Sequence, residues 1–358
     1  MFFSRKEEME QIQGTLFDQP ATVFDPILGY RWVAGTRCMR VAKGEVVYDH
    51  VMPVNNEGCH CTYDYEHKKG TDRTFRFFVL GDSFTNDAGV EIAWPETLQH
   101  LLRGRSEYGI DVEVYGMPTD GGGLPNWYTT LHEYILPNFD IDGLIIADWG
   151  DDLTRDWVVC HSEEDGFLWK TVGLDERPKN VEEVLAMKDQ MNKLYEICSK
   201  EHLAERAEAL KANADPKPYD CNSYGMDARI GPEGYEFTEA GFKKHYTEDR
   251  YDLLKGIMDS CKQRGIKVIY SVLPEIGDVM CSHDKPELKQ FHPQVGEWIG
   301  DHFNVPYFDG LKIFDKVERE SILESYWLKY DGHWGQGASM YYAINMADFI
   351  LRNKIMVE

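Results

Sequence analysis

Short apolar segments alternate with longer amphipathic segments along most of the chain. Five apolar runs have the length and the Val, Ile and aromatic content of buried strands. They are Thr74–Leu80, Ile110–Tyr115, Gly143–Ala147, Lys267–Leu273 and Val305–Phe308. The segments with helical periodicity are Trp94–Arg103, Leu124–Leu136, Tyr251–Arg264, Pro286–His302 and Ala338–Arg352. Strands that alternate with helices form parallel sheets covered on both faces, so the pattern predicts an α/β fold with a parallel five-stranded sheet.

Two regions interrupt this alternation. Residues 1–72 are rich in turn residues and precede the first strong strand, which predicts an N-terminal extension packed on a core domain of residues 73–358. An insertion at about residues 151–250 separates the third and fourth strands. Its middle, Val181–Ala214, is charged and favours a helical insertion with a solvated face. The alternative is a lid or substrate-binding subdomain, because insertions at strand carboxyl ends lie beside the ligand site in open sheets.

The charge balance excludes some classes of partner. The 358 residues include 38 Lys and Arg but 62 Asp and Glu, a formal net charge of -24. Such a surface repels phosphate backbones and anionic membranes, so we expect neither nucleic acid nor membrane partners. No apolar run approaches the ~18 residues of a membrane span, and the N-terminal residues do not resemble a signal peptide. The sequence leaves the oligomeric state open.

The eight cysteines are scattered, which is typical of a protein from a reducing cytoplasm rather than of a disulfide scaffold. Cys59-His60-Cys61 has two metal-ligating residue types close together, but no second ligand pair follows at zinc spacing. Nothing in the sequence requires a metal or an organic cofactor.

Two segments carry candidate chemistry. Gly81-Asp82-Ser83-Phe84 directly follows the first apolar run, so Ser83 lies at the carboxyl end of a strand, where open α/β sheets bind ligands. A serine is a weak nucleophile and needs an adjacent base. Asp331-Gly332-His333, just before the last helical segment, offers a base and an acid to orient it. Taken alone, that segment would favour a helix-capping loop with a surface histidine.

These segments, in this order, resemble the first and last blocks of the SGNH, or GDSL, hydrolase superfamily. Residues 112–118, Val-Glu-Val-Tyr-Gly-Met-Pro, are similar to the second block, and residues 144–153 are similar to the third. The resemblance covers about residues 81–153 and 265–350. The extension loosely resembles that of longer members that modify exopolysaccharides, including the alginate O-acetyltransferase type. The resemblance implies a three-layer, flavodoxin-like α/β/α fold.

The resemblance also implies an acyl-enzyme mechanism. His333 would deprotonate Ser83, which would attack an ester carbonyl, and water or a sugar hydroxyl would then remove the acyl group. The oxyanion hole would use the N–H groups of Ser83 and Gly116 and an Asn side chain from the third block. This chain has Asp151 at the Asn position. An ionised carboxylate has no donor, so losing that contact would cost about 100- to 1000-fold in turnover.

Three explanations for Asp151 stay open. Its carboxyl could be protonated through a raised pKa. Another side chain could donate instead, with Asn86, Asn126 and Arg155 as the candidates. Or the chain could bind a ligand without efficient turnover. The acid also lies two residues before His333, where many family members have it three residues before, and Asp309 is an alternative acid.

The sequence therefore predicts a serine esterase with Ser83, His333 and Asp331 as catalytic residues. Trp149, Arg155 and Trp157 follow the third strand and are the candidate substrate-binding residues, since aromatic rings stack on sugars and acyl groups. The expected substrate is a carbohydrate ester or a small ester, most simply one that carries an acetyl group. The alternatives are an O-acyltransferase that uses the same acyl-enzyme and a catalytically silent binding protein.

Overall fold

The computed structural model describes residues 13–42, 44–104, 109–150, 152–163, 166–212, 231–329 and 331–357. The strands are β1 Gln13–Phe17, β2 Thr22–Asp25, β3 Gly29–Trp32, β4 Arg37–Ala42, β5 Glu45–Val51, β6 Thr74–Leu80, β7 Asp111–Gly116, β8 Gly143–Trp149, β9 Trp157–Ser162, β10 Gly166–Val172, β11 Asn192–Ile197, β12 Lys267–Leu273 and β13 Tyr307–Asp309. The helices are α1 Ser83–Asn86, α2 Trp94–Gly104, α3 Leu124–Thr129, α4 Leu136–Asn138, α5 Val181–Ala186, α6 Lys200–Ala212, α7 Glu239–Tyr246, α8 Glu248–Arg264, α9 Ile276–Asp284, α10 Phe291–Phe303, α11 Arg319–Ser321 and α12 Gln336–Arg352.

The central sheet has five strands in the order β13-β12-β8-β6-β7, and all of its pairings are parallel. Counted along the chain from β6, this is the 2-1-3-4-5 order of flavodoxin-like folds. Each strand corresponds to one of the five predicted apolar runs, with ends that differ by at most two residues. The predicted α/β fold with a parallel five-stranded sheet is confirmed.

Both faces of the central sheet are covered by helices, which gives three layers. Alternate residues of each strand contribute to two separate cores, since successive side chains point to opposite faces. Val79 and Ile145 pack with α2, α9 and α12 on one face, whereas Phe78 and Ile146 pack with α3, α8 and α10 on the other. Because all five strands are parallel, the residues just beyond their carboxyl ends meet at one edge of the sheet.

A second sheet, which we call the accessory sheet, has six strands in the order β5-β4-β1-β11-β10-β9. Its β1 and β11 are parallel neighbours although their paired residues, such as Leu16 and Glu196, are far apart in sequence. The turn-rich N-terminal segment thus contains five strands, β1 to β5, and the insertion contributes β9 to β11. The first region therefore contains short strands between its turns, and two of its strand pairs, β2–β3 and β4–β5, are formed by neighbours in sequence.

The insertion contains helices, as its charge pattern predicted, but they are separated by a strand. Within Val181–Ala214, two helices, α5 and α6, flank strand β11. Tyr195 and Ile197 of β11 pack on the aromatic core of the accessory sheet, and β11 bonds to β10 and β1 on its two sides. These non-local pairings override the helical preference of the local sequence.

The helices follow the predicted periodicity except at some ends. The helix predicted over Leu124–Leu136 begins as α3, widens into a π-helical turn over Thr130–Ile135 and ends in α4, which includes Pro137. Helix α10 begins at Phe291, later than the predicted start. Within the described ranges, we find no helix with both the length and the apolar character needed to cross a bilayer.

Candidate active site

Ser83 is the first residue of α1, directly beyond the carboxyl end of β6. Asp82 caps this helix, since its Oδ1 accepts a hydrogen bond of 2.9 Å from the Phe84 N–H. Gly81 makes the tight turn possible. A Cβ at Gly81 would lie 2.1 Å from Thr85 Oγ1 and 3.0 Å from the Ala147 carbonyl oxygen. The sequence Gly-Asp-Ser therefore fixes where the serine hydroxyl lies, through one close approach and one helix cap.

The structure brings the three predicted catalytic residues into one hydrogen-bonded chain. Ser83 Oγ lies 2.8 Å from His333 Nε2, and His333 Nδ1 lies 2.7 Å from Asp331 Oδ1. Asp331 Oδ1 also accepts a bond of 3.0 Å from the His333 backbone N–H. This second bond explains how a spacing of two residues works, because the carboxylate holds both the ring and the peptide of the histidine. The His333 side chain is 43% exposed, so the chain of bonds is open to a ligand.

The charges in the site set the direction of each proton. Burial raises the pKa of Asp331, but Arg40 and His333 lower it further than burial raises it, so the carboxyl is ionised. An ionised carboxylate only accepts, so His333 Nδ1 donates to Asp331 and Nε2 is left to accept from the Ser83 hydroxyl. Burial lowers the pKa of His333, but the carboxylates of Asp331 and Asp82 raise it above its ordinary value. The arrangement suits an imidazole that accepts a proton from Ser83.

Arg40, from β4 of the accessory sheet, completes the chain of bonds. Its Nη2 lies 3.1 Å from Asp331 Oδ2, the oxygen that His333 does not use. Its Nη1 donates a bond of 2.9 Å to Thr15 Oγ1 on the neighbouring strand β1. Both Arg40 and Asp331 are largely buried, with side chains 18% and 12% exposed. No sequence motif marks Arg40, and only the pairing of distant strands places it at the site.

A second ionic network lies on the other side of Ser83. Arg155 Nη1 donates to Asp82 Oδ2 at 3.0 Å, to Asp152 Oδ1 at 2.7 Å and to the Gly122 carbonyl at 3.2 Å. Asp82 and Asp152 are fully buried. Burial and the Asp82 charge raise the pKa of Asp152, and Arg155 opposes that rise. The guanidinium thus ties together the loops that follow β6, β7 and β8.

The loop after β7 adds a buried acidic group close to the site. Asp120 Oδ2 accepts a bond of 3.0 Å from Asn86 Nδ2, and its backbone N–H donates to Tyr30 Oη at 2.8 Å. Burial and the Asp82 charge raise the pKa of Asp120 to about 7. His60, from the Cys-His-Cys segment, bonds through Nδ1 to the Asn86 carbonyl at 2.7 Å. That histidine therefore supports the end of α1.

The three predicted oxyanion donors differ in how they are placed in the structure. The N–H of Ser83 has no acceptor among the described residues. Gly116 was wrongly predicted as a donor. The next N–H, that of Met117, bonds to Val79 of β6, and successive N–H groups of a strand point to opposite edges. The Gly116 N–H therefore points away from β6, on the side where its carbonyl accepts from Tyr65 Oη at 3.0 Å. Asp151 lies outside the described residues.

The three alternative donors are committed to other acceptors. Asn86 Nδ2 bonds to Asp120, and Arg155 bonds to two carboxylates as described above. Asn126 is fully buried, and its side chain exchanges two bonds with the backbone of Val158, which fastens β9 to α3.

Of the three predicted substrate-binding residues, two lie beside the site and one is buried away from it. Trp149 is half-buried, and its ring lies 5.6 Å from that of Phe84, which in turn stacks on His333 at 4.8 Å. Trp157 is fully buried and donates to Thr129 Oγ1, so the prediction that it contacts substrate is wrong. The reason is that β9, on which it lies, packs against α3 instead of lining the cleft. Arg155 lies beside the site, with its guanidinium 4.8 Å from the Trp149 ring centre.

Asp309, the alternative acid, has a local role. Its Oδ1 accepts bonds from the N–H groups of Leu311 and Lys312, which form the turn after β13. The acid that bonds to His333 is Asp331. The spacing in Asp-Gly-His was a sufficient signal for this pair, whereas no local signal could have identified Arg40 or Asp120.

Comparisons with known proteins found similarity in structure but none in sequence. No family model matches the chain, and no curated protein matches it. The lipase/acylhydrolase from Enterococcus faecalis is similar in structure, with 12% identity, a TM-score of 0.37 and coverage of 78% of this chain and 96% of that one. A catalytic mutant of an acetylxylan esterase from Geobacillus stearothermophilus gives 12% identity, a TM-score of 0.39 and coverage of 79% and 95%.

An alpha/beta hydrolase enzyme from the metagenome of Lake Arreo is also similar, with 10% identity, a TM-score of 0.37 and coverage of 79% of this chain and 97% of that one. Each is a protein that this chain resembles in outline, and what the chain does has to be argued from its own site. The strand order of the central sheet is the flavodoxin-like order that the resemblance to SGNH/GDSL hydrolases implied. The three-layer α/β/α architecture with its parallel five-stranded sheet is therefore the fold of this chain.

Proposed function

We propose that this protein is a serine ester hydrolase that works through an acyl-enzyme on Ser83. The observation that carries the proposal is the unbroken series of bonds from Ser83 Oγ through His333 to Asp331, at 2.8 and 2.7 Å. A nucleophile, a base and an orienting acid in this geometry are the requirements for nucleophilic catalysis of acyl transfer.

Each step can be assigned to a described atom. His333 Nε2 removes the hydroxyl proton as Ser83 Oγ bonds to the ester carbonyl carbon. The carbonyl oxygen becomes an oxyanion, for which the Ser83 N–H is the one predicted donor that the described residues leave available. The bond from the carbonyl carbon to the alcohol oxygen then breaks, and that oxygen takes the proton from Nε2.

Water completes the cycle. It loses a proton to His333 Nε2 and attacks the acyl carbon, and the bond to Ser83 Oγ breaks as Nε2 returns the proton to Oγ. The products are the alcohol and the carboxylic acid. Asp331 stays ionised throughout and stabilises the imidazolium that forms twice in the cycle.

For the substrate, we propose a small acyl group, most simply acetyl, on a carbohydrate or another uncharged alcohol. The half-buried Trp149 stacks on Phe84, which stacks on His333, and the Trp149 ring suits the apolar face of a sugar or a short acyl chain. The net charge of -24 disfavours anionic esters.

The test is covalent labelling. The protein is incubated with a fluorophosphonate probe and, separately, with p-nitrophenyl acetate in a burst assay. The Ser83→Ala variant is compared with Ser282→Ala, which removes an exposed hydroxyl bonded to Asp315. Wild type and Ser282→Ala should be labelled and should hydrolyse the ester, whereas Ser83→Ala should do neither.

Equal signals from wild type and Ser83→Ala would refute the proposal. Added sugars give a further result: if they discharge the acyl-enzyme faster than water does, the reaction is an acyl transfer and hydrolysis is its side reaction.

A further inference from the structure

Arg40 of the accessory sheet forms an ion pair with Asp331 of the candidate triad. We propose that Arg40 is a positioning residue of the site, which holds Asp331 in the orientation that bonds to His333. The inference rests on the proposed function, since it concerns how the same triad is tuned.

Geometry is the first support. Asp331 has two oxygens, and each has its own partner: Oδ1 serves His333, and Oδ2 lies 3.1 Å from Arg40 Nη2. A carboxylate held from both sides cannot rotate away from the imidazole. Arg40 is itself held, because Nη1 donates to Thr15 Oγ1 on the adjacent strand.

The position of Arg40 in the fold is the second support. Successive side chains of β4 point to opposite faces of the accessory sheet. Met39 and Val41 pack with Leu203 of α6, so Arg40 points to the other face, toward the catalytic loop. Because Arg40 is largely buried, its guanidinium loses hydration that a surface arginine keeps. The ionised Asp331 offsets that cost. The strand thereby brings a positive charge to the Asp331 end of the triad.

Several titratable groups act on His333. The carboxylates of Asp331 and Asp82 favour the protonated imidazolium, and Arg40 opposes them. Asp87 and Asp120 also interact with His333, but burial raises the pKa of each carboxyl, which favours its neutral form. Around Arg40 the other titratable groups are Cys38, Tyr48 and Tyr195, of which the two tyrosines also feel the charge of Asp331. Without Arg40, His333 would be protonated over a wider pH range and less available as a base.

The experiment compares Arg40→Met with wild type in the pH profile of kcat/KM for p-nitrophenyl acetate. The acidic limb reports protonation of the base in the free enzyme. In Arg40→Met it should move upward by about 0.5 to 1 pH unit, the direction expected when a positive charge near the imidazole is lost. Arg40→Lys keeps the charge and should restore the limb to its wild-type position, even if the plateau is lower.

The matched control is Arg37→Met. Arg37 lies on the same strand and pairs with an aspartate, Asp49, at 2.6 Å, but this pair is more exposed and makes no contact with Asp331. The acidic limb of the Arg37→Met pH profile should lie where that of wild type lies. If Arg40→Met shows an unmoved limb, or one that moves no further than in Arg37→Met, the proposal is overturned. If Arg40→Met does not fold, Thr15→Val replaces it. That variant should give a smaller upward shift, and no shift would overturn the proposal.

A readout without turnover separates this proposal from the proposed function. The His333 ring is titrated by nitrogen NMR, with its signals identified by their loss in His333→Gln. In Arg40→Met the ring should titrate at higher pH than in wild type. If wild type neither hydrolyses esters nor reacts with fluorophosphonate, the enzyme proposal fails, and this titration alone decides the role of Arg40.

Discussion

Arg155 gives the sharpest prediction about stability, because a single guanidinium neutralises two carboxylates that have no exposed surface. Replacing it by Met keeps much of the side-chain volume and removes the bonds to Asp82, Asp152 and the Gly122 carbonyl. Breaking a buried ion pair from one side costs about 3 to 5 kcal/mol, since the remaining charge stays buried. The Arg155 side chain is 23% exposed, so we expect the lower end, about 3 kcal/mol. That is roughly a hundredfold change in the unfolding equilibrium.

The loss should depend on pH. The pKa of Asp152 in the folded protein is raised by burial and by Asp82, and removing Arg155 raises it further. A carboxyl group whose folded pKa exceeds the ~3.9 of an unfolded aspartate costs stability as the pH rises through the folded value. At a pH below the unfolded value the group is protonated in both states and this cost disappears. The deficit of Arg155→Met should therefore grow from about pH 4 to pH 8.

Urea denaturation followed by tryptophan fluorescence measures the unfolding free energies of wild type and Arg155→Met at pH 4.5, 6 and 8. The control is Arg319→Met, which breaks an exposed pair with Asp284 and should cost about 0 to 1 kcal/mol at each pH. If Arg155→Met costs no more than Arg319→Met at pH 8, or the same at every pH, the reasoning about buried carboxylates is refuted.

Two further predictions concern the acidic residues around Ser83. Asp331→Asn keeps the size of the side chain but offers His333 a neutral partner, so kcat for p-nitrophenyl acetate should fall by about 10³ to 10⁴ with little change in KM. A loss below tenfold would mean that Asp331 is not the acid of the triad. For Asp120, whose pKa is raised to about 7 mainly by burial, ionisation costs stability as the pH rises through that value. Asp120→Asn cannot ionise, so its unfolding free energy relative to wild type should rise by about 2–3 kcal/mol between pH 5 and pH 8. An equal difference between the two urea midpoints at both pH values would exclude this.

The chain of bonds from Ser83 to Asp331 was largely predictable from the sequence. Gly81-Asp82-Ser83 carries its own turn, helix cap and proposed nucleophile within three residues. Asp331 and His333 are close enough for the carboxylate to bond to both ring and peptide. The periodicity of the apolar runs also determined the central sheet, because each strand is buried on both faces and reads as a continuous apolar segment.

Only the tertiary structure decided what surrounds those residues. Gly116 lies on the strand that the sequence indicated, but the direction of its N–H depends on which edge of β7 faces β6. Trp157 was predicted to bind substrate, but it is buried because β9 packs on α3. Arg40 belongs to β4, which pairs with β1 and β5, and it is β1 that joins these strands to the distant β11. Hydrogen bonds between strands distant in sequence leave no local pattern, so the partners of the triad had to be seen in three dimensions while the triad itself could be read along the chain.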